Sequence, residues 1–155
     1  MIRVVIDTNI LVSALLTSGG LPEAVIDLAI SGDVPWFASE SVLAEYEEVL
    51  KRPWLAIDSG KAAEAMARIR AHVSVVSPAV RVAAASDPDD NRFLECAEAA
   101  QAHYLVTGNI RHFPEVWKET RIVTPRTDST AYMDLTAKGM AVPFGRRHVV
   151  RNSRS

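Results

Sequence analysis

Ile2-Arg3-Val4-Val5-Ile6-Asp7-Thr8-Asn9-Ile10-Leu11 opens the chain with a short apolar run that ends in a carboxylate. The run supports one short buried strand. Asp7 then falls at the carboxyl end of that strand, the edge at which open α/β sheets bind ligands. Asp7 or Thr8 could equally cap a following helix, because both side chains accept hydrogen bonds from a first helical turn. The choice between cap and functional group depends on whether other carboxylates converge on the same edge.

Working outward, the pattern predicts helices over residues 10–16, 22–30, 40–51, 61–72 and about 88–101. Pro22 favours a first turn, Gly32 a stop, Ser39 a cap and Pro53 a terminus. Strands are expected over 2–6, 34–38, 73–76, 104–107 and 122–124. Short apolar strands separated by helices imply a parallel sheet covered on both faces, an α/β fold with three α/β/α layers.

The 155 residues fit one domain. One folded domain is expected over residues 1–137 and a basic tail over 138–155. The first segment carries 12 basic against 19 acidic residues, a balance of −7, whereas the tail has five basic residues and no acid. Such a tail is more often mobile or ordered by a partner than independently folded. Cys96 is the sole cysteine, so no internal disulfide is available, and a reduced cytoplasm is the expected location. His72, His103, His112 and His148 are too scattered for zinc-type spacing. With no secretory signal and no apolar run approaching the roughly 20 residues of a membrane span, the protein is expected to be soluble.

Two further acids stand out by their helical angle. Taking Val42 as reference at about 100° per residue, Tyr46 and Val49 lie near the apolar centre and Glu45 about 60° from it. Glu45 therefore borders the buried face, while Glu47 and Glu48 read as solvated charges. Asp90 leads the apolar stripe of its helix, with Leu94 and Phe93 on either side. A first-turn acid favoured by the helix dipole accounts for Asp87 and Asp89, with Asp87 as cap and Pro88 at the first position. It does not account for the inward direction of Asp90, since a buried carboxylate needs a partner or takes up a proton.

Tyr104-Leu105-Val106-Thr107-Gly108-Asn109 repeats the opening design, a short strand that ends in a hydroxyl, a glycine and a polar side chain. Asn109 could be a simple turn residue. If strands one and four are neighbours, it stands beside Asp7 as a neutral oxygen ligand. Carboxylates pressed together repel unless a cation compensates. Oxygen donors without His or Cys suit Mg²⁺ or Mn²⁺, ions able to activate water and stabilise charge on a phosphoryl oxygen.

In this order the motifs resemble the PIN-domain ribonucleases, over roughly residues 2 to 125. They are Val4-Val5-Ile6-Asp7-Thr8-Asn9, Ser41-Val42-Leu43-Ala44-Glu45, Asp87-Pro88-Asp89-Asp90-Asn91 with Phe93-Leu94, and Leu105-Val106-Thr107-Gly108-Asn109. The likeness is greatest to members that are toxins of toxin–antitoxin pairs. It implies Asp7, Glu45 and Asp90 as an acidic metal-binding triad, with Thr8, Asn9 and Thr107 orienting them. Asn109 occupies the place of a fourth acid in many members, which implies one tightly held Mg²⁺ and a second ion arriving with RNA. The resemblance further implies an RNA substrate, a small antitoxin partner and self-association as a homodimer. Two other readings compete: a non-catalytic PIN-fold module that binds a protein or RNA, and a phosphatase with Asp7 as nucleophile. Asn9, where such phosphatases need a second aspartate, weighs against the latter.

Overall fold

The computed structural model describes residues 2–126; the expected basic tail and its boundary at residue 137 lie outside them. The sheet is built on β1 (Val4–Ile6) and β4 (Tyr104–Val106), which pair in parallel with Ile6 opposite Val106. All six residues of these strands are buried. Successive side chains of a strand point to opposite faces, so both faces are covered and the apolar run forms a middle layer.

β6 (Thr120–Val123) extends the sheet in parallel beyond β4, and β5 (Val116–Trp117) closes that edge in antiparallel pairing. On the other side β2 (Phe37–Ala38) pairs with β3 (Ser74–Val75). A single parallel bridge, Val4 to Trp36, with Val4 N donating to Pro35 O at 3.0 Å, joins this pair to β1. The spatial order is β3-β2-β1-β4-β6-β5. The sheet is thus parallel except at β5, a strand the sequence pattern did not indicate.

Among the described residues five α-helices surround the sheet: α1 (Thr8–Leu16), α2 (Leu21–Ile30), α3 (Glu40–Leu50), α4 (Ser59–His72) and α5 (Asn91–Ala100). Ser39 caps α3 by accepting from Val42 N at 3.1 Å, as expected from sequence. Asp58 caps α4 in the same way through Lys61 N. The expected helix over residues 88–101 instead begins as a 3₁₀ turn, Pro88–Asp90, and becomes α-helical at Asn91. No single helix among the described residues is long and apolar enough to cross a membrane.

Tyr46 locks α3 onto the sheet. Its ring is fully buried between Trp36 and Phe93, with centroids 6.1 and 6.5 Å away, and its hydroxyl donates to the carbonyl of Ile6. A buried phenol needs such an acceptor. The residue before it, Glu45, is thereby carried to the end of β1.

Candidate functional site

Three carboxylates reach one open cleft from three separate elements: Asp7 after β1, Glu45 from α3 and Asp90 from the turn that opens α5. The cleft encloses about 410 Å³, and Thr8, Asn9 and Asn109 also line it.

Asp7 occupies the cap position of α1, yet its side chain makes no capping hydrogen bond. Buried to 5% exposure, it accepts instead from Thr107 Oγ1 at 2.7 Å. Burial raises its pKa above the usual carboxylate value; the Thr107 hydroxyl and the nearby amides of Thr8 and Asn9 partly offset that. Thr107 is fully buried, and its oxygen also accepts from Asn109 N at 3.0 Å and faces Asn9 Nδ2 at 3.5 Å. Asn9 Oδ1 accepts from Gly108 N at 2.9 Å. Residues from the ends of β1 and β4 thus hold one another, with Asp7 at the centre.

Glu45 is half-buried and accepts from the Thr8 hydroxyl. Burial raises its pKa first, and repulsion from Asp7, Asp90 and Asp89 adds to the rise against the lowering effect of Thr8. Asp90 is pushed up to about 6, chiefly by burial, then by Asp7 and Asp87, while His112 works in the other direction. His112 Nδ1 lies 3.5 Å from Asp90 Oδ2, and its Nε2 lies 3.1 Å from Asn109 Nδ2. The three acids therefore feel one another electrostatically, although among the described residues no three His, Cys, Asp or Glu side chains are already gathered into a metal-holding cluster.

A match to the PIN-domain family runs over residues 3–111, more than two-thirds of the chain. The protein belongs to the PIN-domain family. Members of this family are generally nucleases. An uncharacterized protein of Methanocaldococcus jannaschii is 31% identical over 111 residues, which cover 70% of this chain and 71% of that protein.

The donor set of this PIN domain fits a hard divalent cation. Its anionic groups are carboxylates, its neutral donors are amide and hydroxyl oxygens with the His112 imidazole beside Asp90, and burial together with repulsion between the acids leaves them short of positive charge. Asp7, Glu45 and Asp90 would hold such an ion, with Asn109 as a neutral oxygen donor.

Several residues in and beside the PIN-domain cleft were given no site role by the sequence reading. His112 lies on the 3₁₀ turn Ile110–His112, a stretch without periodicity. Arg52 and Trp54 line the far wall, just past the end of α3. Asp87 and Asp89 also face the cleft, although Asp87 does cap its turn by accepting from Asp89 N at 2.9 Å. Asn91 is buried and its Oδ1 accepts from Ala84 N and Ala85 N at 3.0 and 2.8 Å. Glu95, also buried, accepts from Val82 N at 2.9 Å and pairs with Arg92 at 3.0 Å. These two side chains tie the loop leading to Asp90 onto α5.

Proposed function

We propose that this PIN-domain protein is a divalent-metal-dependent endoribonuclease that hydrolyses RNA phosphodiester bonds and leaves a 5′-phosphate. The observation that carries this reading is the convergence of Asp7, Glu45 and Asp90 on one open cleft, each with its pKa raised by burial and, for Glu45 and Asp90, also by neighbouring carboxylates. Bound Mg²⁺ or Mn²⁺ would supply Lewis-acid activation of water and of the phosphoryl oxygen. The chain's own groups do the positioning. Thr107 favours the ionised form of Asp7, Thr8 fixes the direction of Glu45, and Asn9 holds the β4 end against α1.

The test is cleavage of single-stranded RNA by metal-stripped protein to which Mg²⁺ or Mn²⁺ is returned. Cleavage should require the metal and fall to background in Asp7→Asn and Asp90→Asn. Undiminished activity in those variants, with contaminating nuclease excluded, would sink the assignment.

Asn109 favours a second reading, a PIN-fold module that binds RNA or a protein without cutting, because it contributes no charge where a fourth acid would strengthen metal binding. Calorimetry separates the two: failure to bind Mg²⁺ or Mn²⁺, even with RNA present, selects the binding module.

Within the nuclease reading, the protein acts in the cytoplasm as the toxin of a toxin–antitoxin pair, restrained by a small antitoxin protein, and forms a homodimer. The four motifs' likeness to toxin PIN proteins supports this. Coexpression with the product of a short adjacent reading frame should yield a complex and suppress cleavage; sizing of the purified chain tests the dimer.

A further inference from the structure

Trp54 is 75% exposed, the most open large hydrophobic side chain among the described residues. Single exposed apolar residues are ordinary on protein surfaces. Two observations set this one apart: it lines the cleft that Asp7, Glu45 and Asp90 share, and the Arg52 guanidinium lies over its ring, 5.7 Å from the centroid.

The backbone beneath it is well fixed. Trp54 is the middle residue of the 3₁₀ turn Pro53–Leu55, in which Pro53 constrains φ. Leu55 N donates to Arg52 O at 3.1 Å and Ala56 N to Pro53 O at 3.0 Å, and Ala56 ends the turn in the left-handed region at φ 54°. Arg52 is itself clamped, its Nε and Nη2 each 3.1 Å from a carboxylate oxygen of Glu48. Glu45, Val49 and Arg52 follow one another along the cleft wall at spacings of four and three residues. At about 1.5 Å rise per residue, Arg52 stands roughly 10 Å from Glu45 along the helix direction.

Arg52 is also the one Lys or Arg among the described residues lining this cleft, where, His112 aside, the other ionisable groups are acids. Such a wall repels phosphates, so a polynucleotide needs a foothold that does not depend on charge. An exposed indole backed by a guanidinium provides one, because every base has a π face.

We infer that Trp54 is a positioning residue for single-stranded RNA, its indole stacking on an unpaired base that flanks the phosphate held at Asp7, Glu45 and Asp90. The inference rests on the ribonuclease reading above and adds the residue that grips the unpaired strand. Bases within a duplex have their faces covered by neighbours, so the indole selects an unpaired strand without reading its sequence.

The test uses fluorescence anisotropy of a labelled oligoribonucleotide, single-stranded or annealed to its complement, with Mg²⁺ and with chelator, while cleavage is followed on the same samples. A series of strands each carrying one abasic position completes the set. Wild type should prefer the single strand and lose affinity when the abasic position meets Trp54. Trp54→Ala should bind the single strand about 5- to 150-fold more weakly and no longer sense that abasic position, whereas Trp54→Phe should keep most of the affinity. In steady-state cleavage, Trp54→Ala should raise KM far more than it lowers kcat. Single-strand affinity and an abasic profile equal to wild type in Trp54→Ala would overturn the inference while leaving the nuclease reading intact. Absence of RNA binding and cleavage by wild type would overturn both.

Discussion

The hydroxyl of Tyr46 donates to the carbonyl of Ile6, so the residue after Glu45 is bonded to the residue before Asp7. Two candidate ligands on different elements are spaced by one buried hydrogen bond. Tyr46→Phe keeps the ring packing but leaves that carbonyl without its donor, a loss of about 1–3 kcal/mol. Urea denaturation should show a lower midpoint at unchanged slope, and metal affinity should fall as α3 loosens from β1. An unchanged midpoint would mean the bond does not tie the two elements.

Metal-free protein should lose stability as pH rises toward neutrality. The pKa of Asp90 rises in the folded state from 3.8 to about 6, and Asp7 and Glu45 shift in the same direction. A carboxyl with a raised folded pKa binds its proton more tightly when folded, so its stabilisation is complete below the unfolded pKa and lost as pH climbs through the folded one. For Asp90 the loss amounts to at most about 3 kcal/mol. Thermal melts across pH 4 to 7 should show this decline, and saturating Mg²⁺ or the Asp90→Asn substitution should flatten it. A metal-free curve identical to that of Asp90→Asn would count against the buried, repelled carboxylate.

Thr107→Val should weaken metal binding about 10- to 100-fold, the usual cost of losing a partner that orients a ligand. The substitution removes the donor to Asp7 and the acceptor for the Asn109 amide. Thr107→Ser should recover most of the affinity in Mn²⁺ calorimetry. Equal binding by all three proteins would remove Thr107 from the orienting network.

Asn109→Asp adds a further acid to the cleft wall beside Asp7, Glu45 and Asp90. Without metal it should lower the melting temperature by adding repulsion to Asp7 and Asp90; with Mn²⁺ it should raise affinity or the number of ions bound. No change in either quantity would show that Asn109 stands too far from the carboxylates to matter.

Much of this site was legible in one dimension. Asp7 and Thr107 follow unbroken apolar triplets, and a buried parallel pair was the simplest home for Val4–Ile6 and Tyr104–Val106. Glu45 was legible from its helical angle. Asp90 was found by the same reasoning, although it precedes the α-helix and sits on a 3₁₀ turn whose periodicity differs. The buried polar groups of that helix are Asn91 and Glu95, which bond to loop amides. Periodicity does not foresee them, because their partners are backbone groups of an irregular segment. β5 was invisible for a related reason: it has two residues, one of them exposed, and it exists through pairing across a turn in which Lys118 adopts φ 54°. Trp54 went unnoticed because nothing in sequence distinguishes an indole facing a cleft from one facing open water.

Asp7 and Thr107 are bonded across 100 residues of chain, and β1 meets β4 only through that long closure. Synthesis begins at the N-terminus, so Asp7 leaves the ribosome long before the hydroxyl that orients it exists. A growing chain carries the acids without the strand that aligns them. For the ribonuclease proposed above, a nascent chain that has not yet reached the fourth strand lacks the Thr107 hydroxyl that bonds Asp7.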